Sequence, residues 1–278
     1  MQPPTTAGGT DSINGMEMYY ETHGAGEPLL LLHGFTGSGA DWGLIFKQPP
    51  SGYRLVIPDL RGHGRSSNPS GEFTFRQCAL DVFALLDRLA VERFRAIGVS
   101  GGAKTLLHMA TQQPMRVEAM VLVSAAHYFP DRARLIMRQL TIDSRTEEDW
   151  QVMRQRHRHG DEQIRALWRP AQDFKDSYDD VNFTPPYLAT IRARTLIVHG
   201  DRDPFYPVDM ALEMYSAIPR SYLWIIPNAG HGPIWGELAQ AFVETASAFL
   251  RGQWGGGEVP GDGRGRTSVA FGHTRAGE

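Results

Sequence analysis

Six short runs of almost continuous apolar residues recur along the chain, with turn signals and helical patterns between them. These runs are Leu29–Leu32, Leu55–Ile57, Ala96–Val99, Ala119–Val123, Leu196–Val198 and Leu223–Ile226. Strands that are apolar on both faces are typical of a parallel sheet whose two sides are covered by helices. The sequence therefore predicts an α/β layered fold.

The connections between these runs carry helical patterns. Apolar residues recur at helical spacing in Phe75–Leu89, Ala103–Ala110 and Leu238–Leu250. An earlier segment, Met16–Gly24, precedes the first apolar run and predicts an antiparallel strand at the edge of the sheet.

The composition changes along the chain predict a core, an insertion and two tails. We predict a flexible N-terminal tail (1–14), a core (15–127 and 189–251), a helical cap inserted in the core (128–188) and a flexible C-terminal tail (252–278). Thr146 followed by Asp149 predicts the start of one cap helix, and Asp161 predicts the start of another. A cap in this position would cover the carboxyl ends of the strands, where ligands bind in open α/β folds.

Charge and composition exclude several classes of protein. The formal net charge of -3 lacks the basic excess that nucleic-acid binding requires. No apolar run resembles a signal peptide or is long enough to span a bilayer, so we expect a cytoplasmic protein without a membrane partner. The single cysteine, Cys78, excludes an intrachain disulfide and is expected to be a buried structural thiol.

One serine stands where a predicted strand ends and a predicted helix begins. Gly98-Val99-Ser100-Gly101-Gly102 matches the G-x-S-x-G pattern in the strand, turn and helix context that this motif needs. Small residues two positions before and after the serine, here Gly98 and Gly102, let the strand and the helix approach each other. The sequence predicts Ser100 as a nucleophile, and a plain turn serine is the alternative.

A serine nucleophile requires a base and an acid that orients the base. His231 lies in a glycine-rich loop after the last apolar run, and Asp203 follows the Leu196–Val198 run. We predict His231 as the base and Asp203 as the acid, with Asp201 as an alternative acid that is expected to organise its own loop. The other histidines considered, at positions that fit less well, are His108, His157, His159 and His199.

The segment LLLLHGFTGSGADW follows directly on the first apolar run and could supply hydrogen-bond donors for an oxyanion. We predict the backbone N–H groups of Phe35 and Gly101 as these donors. A plain turn at His33-Gly34 is the alternative, and Trp42 is expected to pack in the core.

Five short motifs, in this order, resemble the α/β-hydrolase superfamily. They are HGF at His33, PDLRGHGRS at Pro58, GVSGG at Ser100, GDRDPF at Gly200 and GHGP at Gly230. The resemblance covers roughly Glu17–Arg251. It implies a mostly parallel eight-stranded sheet with helices on both faces, and Ser100, Asp203 and His231 as nucleophile, acid and base. Haloalkane dehalogenases and epoxide hydrolases share this scaffold but carry aspartate at the nucleophile position, so Ser100 argues against both.

We expect a serine hydrolase that cleaves a carboxylic ester of small or medium size through an acyl-enzyme on Ser100. A carbon–carbon bond hydrolase, a lactonase and a perhydrolase would use the same three residues and are alternatives. A ligand-binding protein that keeps the scaffold without turnover is a further alternative.

The sequence indicates a small-molecule substrate and no cofactor, and it leaves the oligomeric state open. His157 and His159 lie near Asp161 but lack a third placed ligand, so we expect no metal site there and interpret the segment as a solvated helix end.

Overall fold

The computed structural model describes residues 7–253 and contains one eight-stranded sheet in the order β1-β2-β4-β3-β5-β6-β7-β8. The strands are β1 (Ala7–Ile13), β2 (Met16–Gly24), β3 (Glu27–Leu32), β4 (Tyr53–Pro58), β5 (Phe94–Val99), β6 (Val117–Val123), β7 (Arg194–Gly200) and β8 (Ser221–Ile226). The β1–β2 and β2–β4 pairs are antiparallel, and the other neighbours are parallel. The predicted mostly parallel sheet of eight strands is confirmed.

The N-terminal prediction is wrong in two respects. Ala7–Ile13 is not a tail but the edge strand β1, and Met16–Gly24 is therefore an inner strand. This strand cannot be recognised from the sequence pattern, because its glycines and polar residues show no apolar alternation. It is held in place by the backbone hydrogen bonds to β2. Residues 1–6 and 254–278 of the two predicted tails lie outside the described residues.

Helices cover both faces of the sheet. They are α1 (Phe75–Arg88), α2 (Gly101–Gln112), α3 (Asp131–Gln139), α4 (Glu147–Arg156), α5 (Asp161–Asp173), α6 (Pro185–Leu188), α7 (Val208–Ala217) and α8 (Ala239–Leu250). Alternate residues of β5 point to opposite sides, so Ala96 joins the core formed with α1, α2 and α7, while Ile97 joins the core formed with α8. Trp42 is buried in the second core and Cys78 in the first, as predicted. Among residues 7–253, no helix is long and apolar enough to cross a membrane.

The segment between β6 and β7, residues 124–193, contains the helices α3 to α6. Helix α4 begins after Thr146, whose hydroxyl accepts from the N–H of Asp149 while the Asp149 carboxylate accepts from the N–H of Thr146. Helix α5 begins at Asp161, as predicted. Met137 of α3 and Trp168 of α5 line one cavity together with Ser100. We therefore interpret this insertion as a cap over the carboxyl ends of the central strands.

Candidate active site

Ser100 occupies the sharp turn between β5 and α2. Its backbone has φ 50° and ψ −104°, a left-handed φ that side chains other than glycine rarely adopt. The turn is held by a hydrogen bond from the N–H of Ser100 to the carbonyl of Val123 at 2.8 Å. Strained backbone of this kind persists where the surrounding structure enforces it, and it clusters at functional sites.

The glycines on either side of Ser100 are required by close backbone contacts. A Cβ on Gly98 would lie 2.6 Å from the carbonyl carbon of Gly102, and a Cβ on Gly102 would lie 2.2 Å from the carbonyl oxygen of Leu32. Neither position has room for a methyl group without a backbone shift. The structure thus supplies the steric reason for small residues at both positions.

His231 and Asp203 form a hydrogen-bonded pair in which His231 Nδ1 lies 2.7 Å from Asp203 Oδ2. The other carboxylate oxygen of Asp203 accepts from the backbone N–H groups of Phe205 and Tyr206. Burial raises the pKa of Asp203, but the hydrogen bond to His231 and the two N–H groups outweigh it, so this carboxyl pKa lies below its ordinary value. The ionised carboxylate can only accept, so Nδ1 carries the proton and Nε2 is left as the acceptor.

Two contacts fix the loop that carries His231. On one side, the imidazole bonds to Asp203, whereas the alternative acid Asp201 is exposed. On the other side, the Ser124 hydroxyl accepts from the N–H of Gly232 at 2.9 Å. The imidazole is one quarter exposed and faces the same cavities as Ser100.

Phe35 and Gly101, whose backbone N–H groups are the predicted oxyanion donors, lie close to each other beside Ser100. A Cβ on Gly101 would lie 2.9 Å from the Phe35 nitrogen, and a Cβ on Gly34 would lie 3.7 Å from the Ser100 Cβ. Neither N–H donates to another group among residues 7–253. Two free donors beside a serine hydroxyl are the arrangement that stabilises an oxyanion. Because Gly101 has no side chain, the Phe35 N–H can lie close to it.

Three buried imidazoles bond to backbone groups in or next to the Phe35–Thr36 loop, and sequence reasoning assigned no such role to any of them. His63 Nε2 accepts from the N–H of Thr36 at 3.1 Å, and His157 Nε2 lies 3.2 Å from the Thr36 carbonyl oxygen. His33 Nδ1 lies 2.8 Å from the carbonyl oxygen of Gly34. We call His33, His63 and His157 the loop cluster. Burial lowers the pKa of each to about 3, so all three are neutral at pH 7.

The interpretation of the His157 segment as a solvated helix end is wrong for His157. The side chain is buried, and its Nδ1 accepts from the N–H of Gly64, 93 residues away. His159 is exposed, as expected. His108 and His199 are buried, and their Nε2 atoms bond to the backbone carbonyls of Asp180 and Tyr206. Within residues 7–253, no group of three or more metal-ligating side chains is present.

Two cavities meet at Ser100 and His231. The inner cavity, of about 250 Å³, is lined mainly by apolar side chains, including Phe129, Phe174 and Trp168. The outer cavity, of about 340 Å³, is bordered by the Arg156–Asp41 ion pair and Trp235. The residues shared by both are Phe35, Thr36, Ser100 and His231. A substrate with two parts could therefore place one part on each side of the serine.

Sequence reasoning assigned no role in the site to Lys104, which lines the inner cavity. Lys104 follows Ser100 by four residues, and its N–H donates to the Ser100 carbonyl at 3.1 Å. The spacing of one helical turn was the available signal, because residues i and i+4 share a helix face.

Comparisons with known proteins agree with this fold. A family model described as the alpha/beta hydrolase fold matches residues 27–145. The chain is 29% identical to the 2-hydroxy-6-oxononadienedioate/2-hydroxy-6-oxononatrienedioate hydrolase 2 of Pseudomonas putida, over 85% of this chain and 92% of the relative. It is 27% identical to the serine hydrolase BPHL of Homo sapiens, over 86% and 85% of the two chains.

A solved structure of a serine hydrolase involved in carbazole degradation superimposes with a TM-score of 0.72 at 22% identity, and covers 89% of this chain and 99% of that one. The matched family model, the curated relatives and the solved structures all point to the α/β-hydrolase superfamily.

Proposed function

We propose that the protein is a serine hydrolase in which Ser100 is the nucleophile, His231 the base and Asp203 the group that orients the base. One observation carries the proposal: a serine held in a strained turn opens into the same cavities as an imidazole that is bonded to a buried carboxylate. An imidazole with Nδ1 fixed by a carboxylate presents Nε2 for proton transfer.

The first half of the reaction forms an acyl-enzyme. Nε2 of His231 takes the proton of Ser100 Oγ as Oγ attacks the carbonyl carbon of the substrate. The negative charge on the carbonyl oxygen is stabilised by the N–H groups of Phe35 and Gly101. Asp203 stabilises the imidazolium that forms. The imidazolium then gives its proton to the leaving group as the bond to the carbonyl carbon breaks.

The second half releases the acid. Nε2 of His231 takes a proton from a water molecule, whose oxygen attacks the acyl carbon, and the same two N–H groups stabilise the second tetrahedral intermediate. Its collapse returns the proton to Ser100 Oγ. The cycle uses only protein groups and water.

The bond that is cleaved is proposed to be a carboxylic ester of small or medium size. The inner cavity of about 250 Å³ supports a small substrate, since it is below the range of typical drug-sized pockets. A second candidate is carbon–carbon bond hydrolysis, which the same three residues could perform. The relative from Pseudomonas putida, a 2-hydroxy-6-oxononadienedioate hydrolase, favours this second reaction.

A panel of purified substrates tests both candidates. The panel holds short alkyl esters, lactones and vinylogous diketones, and each is offered to the wild type and to Ser100→Ala, with folding checked by circular dichroism. We expect turnover of the esters that the variant reduces by about 1,000-fold or more.

The two reactions separate on the same panel. Strong diketone cleavage without ester turnover would replace the first candidate by the second. Full ester turnover in folded Ser100→Ala would overturn the assignment of the nucleophile, and a wild type inactive on the whole panel would favour a ligand-binding protein.

A further inference from the structure

The inner cavity contains one lysine among aromatic rings. Lys104 is 2% exposed, and its Nζ lies 4.8 Å from the centre of the Tyr206 ring, 5.4 Å from that of Phe75 and 5.6 Å from that of Phe129. An ammonium within about 6 Å of an aromatic face is attracted by the ring. The three rings therefore provide part of the environment that an ammonium needs, but they accept no conventional hydrogen bond.

The Lys104 ammonium has no hydrogen-bond acceptor or ion-pair partner among residues 7–253. Two carboxylates are near enough to act on its charge, Asp203 and Asp180. Both are engaged elsewhere: Asp203 bonds to His231, and the two oxygens of Asp180 accept from the N–H groups at the start of α1. A buried ammonium without an acceptor is costly, so its three donors are available to a ligand.

The walls of the inner cavity favour an anion over a cation. None of the cavity's lining residues within 7–253 is an aspartate or glutamate, and the basic side chains that line it are Lys104 and His231. An anionic group that enters would meet the Lys104 ammonium without an opposing carboxylate in the wall. A bond between a charged donor and a carboxylate is roughly twice as strong as a neutral one.

Burial lowers the pKa of Lys104 to about 7, while the charges of Asp203 and Asp180 act in the opposite direction. The other titratable groups at this cavity are His231 and Tyr206, and burial raises the pKa of Tyr206, so that the phenol is neutral. A bound anion would favour the protonated lysine, because an opposite charge stabilises the charged form.

From this geometry we infer that Lys104 selects substrates whose acyl part carries a carboxylate or another anionic oxygen a few bonds from the scissile carbonyl. The inference rests on the proposed function, since it places the carbonyl at Ser100 and the anion one helical turn further along α2. Lys104 is thus a specificity residue of the inner cavity, and the leaving group lies in the outer cavity.

Two esters of the same shape test the inference. Monomethyl glutarate carries a carboxylate where methyl 5-methylhexanoate carries an isopropyl group, so they differ in charge at one end. We expect wild type to prefer the glutarate ester in kcat/KM. Lys104→Met, which replaces the four-carbon stem by an unbranched side chain one atom shorter than lysine and removes the charge, should lower kcat/KM for this ester by about 10- to 100-fold. The neutral ester should be hydrolysed as fast or faster by this variant.

A binding measurement keeps the inference testable if neither ester is hydrolysed. In Ser100→Ala, dissociation constants are measured for 5-oxohexanoate and for the neutral ketone of the same shape, 6-methylheptan-2-one. We expect the added Lys104→Met substitution to weaken 5-oxohexanoate by about 10- to 100-fold and to leave the neutral ketone unchanged.

The two proposals fail in different ways. If Lys104→Met affects the charged and neutral compounds equally, in turnover and in binding, the proposed role of Lys104 is wrong. The assignment of Ser100 as the nucleophile is unaffected by that result. Selective loss of 5-oxohexanoate binding, together with ester turnover that persists in Ser100→Ala, would support Lys104 and overturn the proposed function.

Discussion

Two groups of basic side chains border the Phe35–Thr36 loop, and they differ in what they bind. Each imidazole of the loop cluster bonds to backbone groups through both ring nitrogens. In the cavity, His231 bonds instead to the carboxylate of Asp203, and Lys104 faces open space and aromatic rings. Basic groups around one loop therefore have different partners.

The difference shows how partners decide the role of a buried base. An imidazole that must accept from one N–H and donate to one carbonyl is held neutral, because protonation would break the accepted bond. An imidazole beside a carboxylate can gain a proton and be stabilised as it does so. The loop cluster thus supports the loop that carries Phe35, one of the two proposed oxyanion donors, and the cavity pair of Lys104 and His231 faces the proposed substrate site.

The largest effect is expected from His231→Gln, which removes the proposed base. We expect kcat to fall by about 1,000-fold or more with the fold intact, since the side chain is partly exposed. His159→Gln is the matched control, because His159 is exposed on the cap and should leave kcat unchanged. Equal kcat values for the two variants would contradict the assignment of His231 as the base.

The next effect is expected from Gly101→Ala. The added methyl group would lie 2.9 Å from the Phe35 nitrogen and force the two proposed oxyanion donors apart. We expect kcat to fall by about 100-fold, the effect of losing one such donor. Gly43→Ala is the control, since a Cβ there meets no atom within 4 Å. Unchanged kinetics in Gly101→Ala would argue against these donors.

A smaller effect on turnover and a clear effect on stability are expected from His157→Phe. The change leaves the Gly64 N–H and the Thr36 carbonyl without this partner, which should lower the free energy of unfolding by about 1–3 kcal/mol. We expect kcat to fall by no more than about 10-fold, since His157 acts through the loop. Denaturant unfolding and ester kinetics on one preparation measure both. A loss of turnover as large as that of His231→Gln would contradict the supporting role.

The smallest effects are expected in the pH dependence of stability. The loop cluster binds fewer protons folded than unfolded between about pH 3 and 6.5, so stability should fall as the pH falls through this range. Lys104 acts in the same direction in a second pH range: the free energy of unfolding should rise as the pH rises from about 7 to 10.

Two variants separate these pH ranges. His63→Gln should reduce the pH dependence of stability on the acid side only, and Lys104→Met should reduce it on the alkaline side only. A Lys104→Met curve that parallels wild type above pH 7 would mean that the lysine is not buried.

The sequence predicted what depends on local pattern. Ser100, Asp203 and His231 each follow an apolar strand at a turn, and parallel strands bring such turns to one edge of the sheet. Strand β1 was missed because its pairing with β2 is a matter of backbone bonds and not of apolar side chains.

The roles of His157 and Lys104 could not be predicted for a different reason. His157 acts through a contact with Gly64, 93 residues away. The aromatic surroundings of the Lys104 ammonium include the rings of Phe129 and Tyr206, and only the folded chain brings these rings close to it. The spacing of Lys104 from Ser100 showed a shared helix face but not the absence of a partner.

The central claim is that Ser100 is a nucleophile activated by His231. Labelling with a fluorophosphonate, followed by mass spectrometry of peptides, tests it most directly. We predict one adduct, on the peptide that contains Ser100, with labelling that is much slower in His231→Gln. A folded wild-type protein that leaves Ser100 unlabelled would contradict the claim.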